Sequence, residues 1–364
     1  MKSKAAVLVG DRTFEMRELP VPDQPQPGGA ILKVEGCGIC GSDVKQYEGV
    51  NARLMGMPFP VIPGHEILGR IFKIAPEDGK RLGLREGDRV AVTGVAPCGV
   101  CEPCRLGRKC ADHFYYGFRS LSLGGSGLYG GYSQYVEIAP RTRLTPVNPD
   151  LSIQDALLFN PFAAGFDWVI RVGETKVGER VLITGGGQRG LACVIAAKEA
   201  GASQIIITGL TRDAYKLDIA KQFGATHAIN VEETDLREEV RAITGGLGVD
   251  KVIETTPLAF RPILDAIELV RPGGTIVLAG HKGGYGMPDF PIDAVALKQI
   301  RIIGALSTSE WAVQMSIKAI DSGRYPVHLM HTHTVDLEGA EHALHMLAGE
   351  IEGESPLHIS IVPN

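Results

Sequence analysis

Two patterns of apolar and polar residues divide the chain. In the N-terminal part, short β-type runs at residues 4–9, 30–34, 69–74 and 133–138 are bounded by Gly, Pro, Asp or Ser. Apolar runs of this length between turn residues predict strands. The N-terminal part of the chain therefore predicts an all-β scaffold.

From about Ser152 the pattern changes to alternating strands and helices. Runs rich in Ile and Val at residues 181–184, 204–208 and 251–254 alternate with helical stretches, of which residues 190–200 are the first. Buried strands joined by crossover helices predict a doubly wound parallel sheet. The fold class is therefore α/β beside an all-β part, and the last predicted strand near the C-terminus need not belong to the parallel sheet.

Charge and composition narrow the classes of function. The chain has 364 residues, a net charge of −5 and no basic stripe, so we expect neither nucleic acid nor an anionic membrane as a partner. No apolar run approaches the roughly 20 residues that a membrane-spanning helix needs. Residues 5–9 are too few for a signal-peptide core. These features predict a cytoplasmic location, where the seven cysteines suit metal binding better than disulfides.

A glycine-rich turn opens the alternating part of the chain. The strand at 181–184 runs into Gly185, Gly187 and Gly190, with Gln188 and Arg189 between the last two, and then into a helix. The glycines permit a tight turn and let backbone N–H groups approach a pyrophosphate at the positive end of the helix. In this strand–turn–helix context, the G-x-G-x-x-G pattern predicts a dinucleotide-binding site.

The end of the next strand indicates which dinucleotide binds. An acidic residue is expected there to hold the ribose 2′-hydroxyl of NAD, but the chain has Gly209-Leu210-Thr211-Arg212 before the first carboxylate, Asp213. A small residue followed by arginine suits a 2′-phosphate, so Thr211 and Arg212 favour NADP over NAD. The alternative is that Arg212 is a solvated residue at the start of a helix that Asp213 caps.

The stretch 36–45 holds a high density of reactive groups. Cys37, Cys40, Ser42, Asp43 and Lys45 lie among glycines that allow the backbone to approach a ligand closely. Cys37 and Cys40 form a C-x-x-C pair, which could be redox-active, part of a zinc site or two buried thiols. The stretch alone leaves these alternatives open, but it is the part of the chain where we expect the chemistry.

Four further cysteines lie close together in the sequence. Cys98, Cys101, Cys104 and Cys110 follow a C-x2-C-x2-C-x5-C spacing. Four thiolates in so short a loop suit a closed tetrahedral zinc site that stabilises the loop without taking part in a reaction. An iron–sulfur cluster or free thiols are the alternatives, and structural zinc is favoured because a nicotinamide cofactor would carry the electrons.

Taken in order, these motifs resemble one family, the zinc-dependent medium-chain alcohol dehydrogenases. The motifs are residues 36–43, Pro63-Gly64-His65-Glu66, Gly87-Asp88-Arg89-Val90, the four-cysteine loop, the glycine-rich turn and Arg271-Pro272-Gly273-Gly274. The resemblance covers essentially the whole chain and is strongest to the polyol, threonine and glucose dehydrogenase branch. It implies a GroES-like β-barrel catalytic domain at residues 1–162 and 304–364, a Rossmann domain at residues 163–303, and assembly as a homodimer or homotetramer.

The resemblance also implies roles for individual residues. Cys40 and His65 would be ligands of a catalytic zinc, and Glu66 would be an adjacent carboxylate that can bind the metal or withdraw from it. Asp43 would support these ligands, and Ser42 would pass on the proton of the substrate hydroxyl. Cys37 would then be a packed neighbour.

The chain departs from the family pattern at three positions. Where a Glu-Pro pair often supplies the remaining zinc ligand, the chain has Asn160-Pro161, and a neutral amide oxygen is a poor zinc ligand. We therefore expect Glu66 to bind the zinc directly with Asn160 at the periphery; the alternative is a weakly loaded or empty site. Lys45 replaces a common relay histidine and could shuttle protons or anchor hydroxyl groups of the substrate or the nicotinamide ribose. The short spacing before Cys110 predicts a tighter loop, or a Cys110 that does not close it.

Together, the motifs and the resemblance predict an enzyme that reversibly oxidises a polyol or sugar-like alcohol with zinc and NAD(P), NADP being favoured. Zinc would act as a Lewis acid, hydride would pass to the nicotinamide, and the proton would leave through Ser42 with help from Lys45. Two alternatives stay open. One is a zinc-independent, NADP-dependent enone reductase, and the other is a nicotinamide-binding sensor or structural protein with a vestigial site.

Overall fold

The structure is a computed structural model that describes residues 1–56, 59–108, 110–287 and 289–364. Within these residues the strands are β1 (Lys2–Gly10), β2 (Thr13–Pro20), β3 (Ala30–Gly38), β4 (Glu66–Ile74), β5 (Arg89–Val92), β6 (Val95–Ala96), β7 (Phe114–Tyr115), β8 (Tyr135–Ile138), β9 (Leu144–Pro146), β10 (Arg180–Thr184), β11 (Gln204–Gly209), β12 (His227–Asn230), β13 (Val249–Glu254), β14 (Val270–Leu278), β15 (Arg301–Gly304), β16 (His331–Val335) and β17 (His358–Ile361). The α-helices are α1 (Gly41–Tyr47), α2 (Val50–Met55), α3 (Pro76–Leu82), α4 (Glu102–Arg105), α5 (Ile153–Leu157), α6 (Phe159–Phe166), α7 (Gln188–Glu199), α8 (Ala214–Phe223), α9 (Leu236–Ile243), α10 (Arg261–Leu269), α11 (Ile292–Lys298), α12 (Glu310–Asp321) and α13 (Ala340–Ala348). A π-helical segment, Asp167–Val172, follows α6, and short 3₁₀ turns lie at Leu121–Leu123, Thr211–Asp213 and Val327–Met330. No helix in the described ranges has both the length and the apolar character needed to cross a membrane.

The chain divides into two compact units. Unit 1 contains Met1–Phe159 and His331–Asn364, and unit 2 contains Asn160–Met330. Unit 1 is thus built from both ends of the chain. Residues 160–162 and 304–330 group with unit 2 by compactness, whereas the sequence predicts them in the catalytic domain, so those domain boundaries stay predictions.

Unit 2 contains a six-stranded parallel sheet in the order β12-β11-β10-β13-β14-β15. Both faces of its inner strands are covered, as shown by Val181, Leu182 and Ile183 of β10, each 0% exposed. This burial explains why the strands read as continuous apolar runs. The strand order reverses at β10, which lies between β11 and β13, and such reversal points are where doubly wound sheets bind nucleotides. The predicted doubly wound sheet is confirmed.

Unit 1 contains a sheet in the order β16-β17-β3-β4-β5-β9, with β8 also paired to β3. β3 is antiparallel to both β17 and β4, so that Ser360 pairs with Gly38 and Gly38 pairs with Glu66. The C-terminal strand therefore lies in the all-β part of the protein and not in the parallel sheet. The core of this unit includes Leu32, Ile67 and Ile359, each 0% exposed.

Candidate active site and metal centres

Cys40 lies at the junction between β3 and α1. It precedes the first residue of the helix, has an extended backbone (φ −107°, ψ 155°), and donates its N–H to Asp43 Oδ2 at 2.8 Å. The start of a helix leaves N–H groups without intrahelical partners, and a carboxylate three residues on satisfies one of them. This turn fixes Cys40 beside the Asp43 carboxylate.

The same carboxylate reaches His65. Asp43 is 1% exposed, and its Oδ1 lies 3.3 Å from His65 Nδ1. Burial opposes a positive charge on the imidazole, yet the Asp43 charge raises the pKa of His65 well above its usual value. Because Nδ1 faces Asp43, Nε2 is the nitrogen left for a metal, and Ser42 Oγ lies 3.4 Å from it.

Glu66 joins Cys40 and His65 in a group of potential metal ligands. Glu66 is 0% exposed and begins β4 directly after His65. One ligand atom from each of the three residues lies within 4.8 Å of the other two. Thiolate, imidazole and carboxylate are ligand types that zinc takes, and three protein ligands leave a position for substrate. The ring of Phe118 lies beside the group, with its centroid 5.4 Å from that of His65.

The four cysteines of the predicted structural site also come together. Their Sγ atoms lie within 4.8 Å of one another, and Cys110 Sγ is 3.5 Å from Cys98 Sγ and 3.8 Å from Cys101 Sγ. Backbone N–H groups of Cys98 and Asp112 point at Cys110 Sγ, at 3.3 Å each. Hydrogen bonds from backbone N–H groups favour the thiolate form of a cysteine. At Cys101, the bonds donated by the backbone N–H groups of Ala111 and Cys104 lower the pKa of the thiol to about 6. The short spacing does not keep Cys110 out of the cluster.

The glycine-rich turn of unit 2 has the geometry of a phosphate site. Gly185 has φ +100°, where other residues are strained, and a Cβ there would lie 2.9 Å from Thr255 Oγ1. A Cβ on Gly190 would lie 1.9 Å from Gly185 O, so the helix packs closely on the turn. Gly187, directly before α7, is open, since a Cβ there would meet nothing within 4 Å. The first turn of α7 therefore lies beside space that a pyrophosphate can enter.

Comparisons with known proteins agree with this geometry. Residues 26–149 match the model of the alcohol dehydrogenase GroES-like domain, and residues 190–321 match that of the zinc-binding dehydrogenase. A probable alcohol dehydrogenase of Mycobacterium tuberculosis is 40% identical over 99% of this chain and 98% of its own length. The chain belongs to the zinc-binding alcohol dehydrogenase family.

Two further similarities support this membership. An erythritol/L-threitol dehydrogenase of Mycolicibacterium smegmatis is 31% identical over 100% of this chain and 98% of its own length. The crystal structure of an alcohol dehydrogenase from Thermotoga maritima matches with a TM-score of 0.87, 25% identity and complete coverage of both chains. The predicted fold class, a GroES-like domain with a Rossmann domain, is confirmed, and so is the prediction of an oxidoreductase. None of these relatives favours the reductase or sensor alternatives.

Asn160 stands where the dehydrogenase family often has a ligand carboxylate, and its amide oxygen is already engaged. Asn160 is 6% exposed, and its Oδ1 accepts a hydrogen bond from Arg189 Nη2 at 3.0 Å. Arg189 Nη1 also donates to Asn160 O at 3.4 Å, and the guanidinium lies 5.8 Å from the Trp168 ring. Arg189, expected from the sequence to contact the cofactor, is thus directed to Asn160 within unit 2.

Lys45, which replaces the relay histidine of many dehydrogenases, is paired with a carboxylate. Its Nζ donates to Glu48 Oε2 at 2.7 Å, and the two side chains are 33% and 26% exposed. A side chain held by such a pair keeps its ammonium in one place, where its remaining N–H groups can donate to a hydroxyl group. The contact therefore favours the anchoring role for Lys45.

The region of Thr211 contains an acid that the linear pattern misses. The Thr211 N–H donates to Glu232 Oε2 at 2.8 Å, and this bond lowers the pKa of Glu232. Asn230 Nδ2 donates to Thr211 Oγ1 at 3.0 Å, while Arg212 is exposed. Glu232 follows β12, the strand next to β11 in the sheet. A search for an acid at the end of β11 itself cannot find a residue that arrives from the neighbouring strand.

Sequence reasoning also missed His358. This residue begins β17, is 0% exposed, and lies two residues before Ser360, the partner of Gly38 in β3. Because alternate residues of a strand share a face, His358 is on the same face of the sheet as Glu66. No local motif marks this histidine, since only the pairing of the last strand with β3 brings it to the site.

Proposed function

We propose that the protein is a zinc-dependent oxidoreductase that transfers hydride between a nicotinamide cofactor and a polyol or sugar-like secondary alcohol. The observation that carries the proposal is the group formed by Cys40, His65 and Glu66, with ligand atoms within 4.8 Å of one another. The names of the relatives support the polyol class. They include the erythritol/L-threitol dehydrogenase and a sorbitol dehydrogenase of Bacillus subtilis, the latter 34% identical over 83% of this chain.

The donor set of this group fits zinc. Deprotonated Cys40 and Glu66 supply two negative charges, which balance a divalent ion, and His65 supplies a neutral nitrogen. Asp43, next to His65 Nδ1, holds the imidazole in the tautomer that presents Nε2 to a metal. Bound zinc supplies Lewis acidity that lowers the pKa of a coordinated alcohol.

The chain's own residues then orient the alcohol and take up its proton. The Ser42 hydroxyl, 3.4 Å from His65 Nε2, lies where it can accept the proton of the substrate hydroxyl and pass it on. The Lys45 ammonium, held by Glu48, can donate hydrogen bonds to further hydroxyl groups of a polyol. The ring of Phe118, packed beside His65, would limit the access of water to the group of candidate zinc ligands. Much of the rate then comes from positioning the reacting carbon for hydride transfer.

A second zinc is proposed at the cluster of Cys98, Cys101, Cys104 and Cys110. The four sulfurs lie within 4.8 Å of one another and offer no open position, which suits a structural ion. The backbone N–H groups that point at Cys110 would stabilise the thiolate charge. This ion would fold the loop and take no part in the reaction.

NADP is proposed as the preferred cofactor. Its pyrophosphate would lie on the turn formed by Gly185, Gly187, Gln188 and Gly190, at the start of α7. The exposed guanidinium of Arg212 is available to a 2′-phosphate. A preference for NAD of about tenfold or more in kcat/KM, or about 1.4 kcal/mol, would contradict this assignment.

Assembly into a homodimer or homotetramer is also proposed. β15 is the end strand of the sheet in unit 2, and its terminal residues Arg301 and Gly304 are exposed. Ile292 and Leu297 of α11 are 68% and 86% exposed. An open strand edge and exposed apolar side chains in one unit suit association with a second copy.

A cytoplasmic location is proposed because a reducing compartment keeps the cysteine cluster available to metal.

The ligand assignment of Glu66 is tested by the variant Glu66→Gln. This variant is expected to lose the catalytic zinc and to keep the structural zinc, because the amide removes one of the two balancing charges. Glu137→Gln is the matched control, since Glu137 is 6% exposed and accepts a hydrogen bond from Ser126 away from the ligand group. Unchanged zinc content and affinity in Glu66→Gln would contradict direct binding by Glu66.

The proposed activity is tested by measuring reduction of NAD and NADP with a panel of polyols, sugars and simple alcohols. We expect reduction with a polyol, faster with NADP than with NAD, in protein that carries both zinc ions. Removal of the more weakly held zinc by a chelator is expected to abolish the reaction. The absence of reduction by zinc-loaded protein across the whole panel would contradict the proposed activity and support the sensor alternative.

A further inference from the structure

The absence of a side chain at Gly38 creates a meeting place for two buried polar groups. Gly38 lies between Ser360 of β17 and Glu66 of β4 in the register of the sheet. A Cβ built on Gly38 would lie 2.6 Å from Glu66 Oε2 and 3.1 Å from His358 Nε2. The carboxylate and the imidazole therefore both reach the space over Gly38 that a side chain would fill. Both residues are 0% exposed, so both polar groups are removed from bulk solvent.

The other nitrogen of His358 is held by a second histidine. His358 Nδ1 lies 3.0 Å from His331 Nδ1, and the two rings meet edge to face with centroids 5.3 Å apart. His331 Nε2 lies 2.9 Å from Thr334 Oγ1, at the exposed end of this series. Burial lowers the pKa of His331, so the neutral imidazole is favoured there.

One of the arrangements of hydrogens that these distances allow places a donor beside Glu66. In a contact between two Nδ1 atoms, only one nitrogen carries the hydrogen. If the Thr334 hydroxyl donates to His331 Nε2, then His331 Nδ1 donates to His358 Nδ1. His358 then carries its hydrogen on Nε2, the atom that lies over Gly38 beside the Glu66 carboxylate. In this arrangement each hydrogen is donated in the same direction, from Thr334 towards Glu66.

We propose that His358 is a positioning residue for Glu66, oriented by His331, and that it fixes the carboxylate as the third protein ligand of the catalytic zinc. This inference rests on the proposed zinc site. A carboxylate that binds a metal through one oxygen is held in orientation by a donor to the other oxygen. His358 has the required features, since it presents a ring nitrogen over Gly38, is fully buried, and is itself anchored through its opposite nitrogen.

The test compares the zinc affinity of the catalytic site in three variants, measured by competition with a chelator. His358→Leu removes both ring nitrogens, whereas His358→Gln keeps an N–H donor near the position of Nε2. His333→Gln is the matched control, because His333 is on the same strand as His331 but pairs with Glu354 at 3.2 Å. The zinc of the four-cysteine cluster serves as an internal reference for the fold in every variant.

We expect His358→Leu to weaken binding of the catalytic zinc by about 10- to 100-fold, with the cluster zinc retained. His358→Gln is expected to restore most of this affinity, and His333→Gln to match the parent protein. Equal weakening by Leu and Gln would indicate a packing role and overturn the proposal. In His331→Leu, which leaves His358 in place, we expect weakening in the same direction by a smaller factor; unchanged binding in this folded variant would also overturn it.

Glu66→Gln separates this inference from the function on which it rests. If Glu66→Gln leaves zinc affinity unchanged, the ligand assignment itself is wrong. If Glu66→Gln weakens binding and His358→Leu does not, only the positioning role is wrong. The double variant is expected to bind zinc as weakly as Glu66→Gln alone, because His358 acts through Glu66.

Discussion

Lys282→Met is expected to destabilise unit 2 strongly, because it leaves a buried carboxylate without its partner. Glu254 ends β13, is 0% exposed, and its Oε2 accepts a hydrogen bond from Lys282 Nζ at 3.0 Å. The Lys282 side chain is 12% exposed. Glu254 Oε1 accepts the N–H of Thr256 at 2.8 Å, but this bond does not cancel the negative charge. Methionine keeps the length of the side chain and removes the ammonium.

The size of the effect follows from burial. Removing one partner of a buried ion pair costs about 3–5 kcal/mol, since the other charge stays in the core. For a domain of roughly 150–250 residues, each kcal/mol shifts the melting temperature by about 2–4 °C, which gives a loss of about 6–20 °C. Lys221→Met is the control. The pair of Lys221 and Asp218, at 3.1 Å, has side chains 59% and 69% exposed, so we expect almost no change in melting temperature.

The pH dependence of the loss has a definite sign. Burial raises the pKa of Glu254 above its value in the unfolded chain, which is about 4.3. A carboxyl group with a raised pKa stabilises the fold at pH values below the unfolded pKa and loses that contribution as the pH rises through the folded pKa. Lys282→Met should therefore cost more at about pH 7.5 than at about pH 5.

Calorimetry or circular dichroism at the two pH values measures the loss of melting temperature and its dependence on pH. Adding Glu254→Gln to Lys282→Met is expected to recover part of the lost stability at neutral pH, because the double variant buries no charge. A melting temperature within the range of the Lys221→Met control would refute the reasoning from burial. An equal loss at both pH values would refute the assignment of the loss to an unpaired carboxylate.

The remaining predictions concern the metals, the cofactor and the proton path. Cys110→Ser is expected to lower zinc content by about one ion per chain and to lower the melting temperature, because a closed site needs four ligands; unchanged zinc, measured by metal analysis, would place Cys110 outside the site. Arg212→Ala is expected to weaken NADP binding by about 10- to 100-fold with little effect on NAD, as judged by fluorescence titration of both cofactors; equal effects on the two would rule out a 2′-phosphate contact. Ser42→Ala is expected to lower kcat by about 10²–10⁴-fold while zinc content stays unchanged, and steady-state kinetics with an unaltered kcat would show that another group takes the proton.

The parallel sheet could be predicted from sequence because its signals are local. Each strand of unit 2 is a short apolar run, and the turn at Gly185 is a compact motif between a strand and a helix. The helices of unit 1 were harder to predict from the sequence. The helix α1, which carries Ser42 and Lys45, has 7 residues and starts in a glycine-rich stretch, so it shows too few turns for a helical period to be visible.

The candidate metal ligands and the supporting Asp43 could be proposed from short motifs, but the contacts that depend on distant strands could not. Cys40, His65 and Glu66 belong to short motifs, whereas His358 comes to lie over Gly38 only because β17 pairs with β3. The contact between Arg189 and Asn160 depends in the same way on the packing of unit 2. Contacts between residues far apart in the chain leave no periodic pattern in the sequence. Each of these residues, taken alone, looks like an ordinary polar group.

The residue type at Asn160 bears on the charge that the proposed catalytic zinc would find among its ligands. In the branch that this chain resembles, a carboxylate at the position of Asn160 often contributes one negative charge to the metal. Asn160 contributes none, and its oxygen already accepts a hydrogen bond from the positively charged Arg189. With Cys40 as the single remaining anion, a divalent ion would keep one uncompensated charge in a buried place, which is costly. We propose that Glu66 supplies the missing charge, and a carboxylate that must stay bound needs an orientation that does not fluctuate. In the proposed arrangement, His358 Nε2 and Glu66 Oε2 share the space over the bare backbone of Gly38, and the histidine would meet that need.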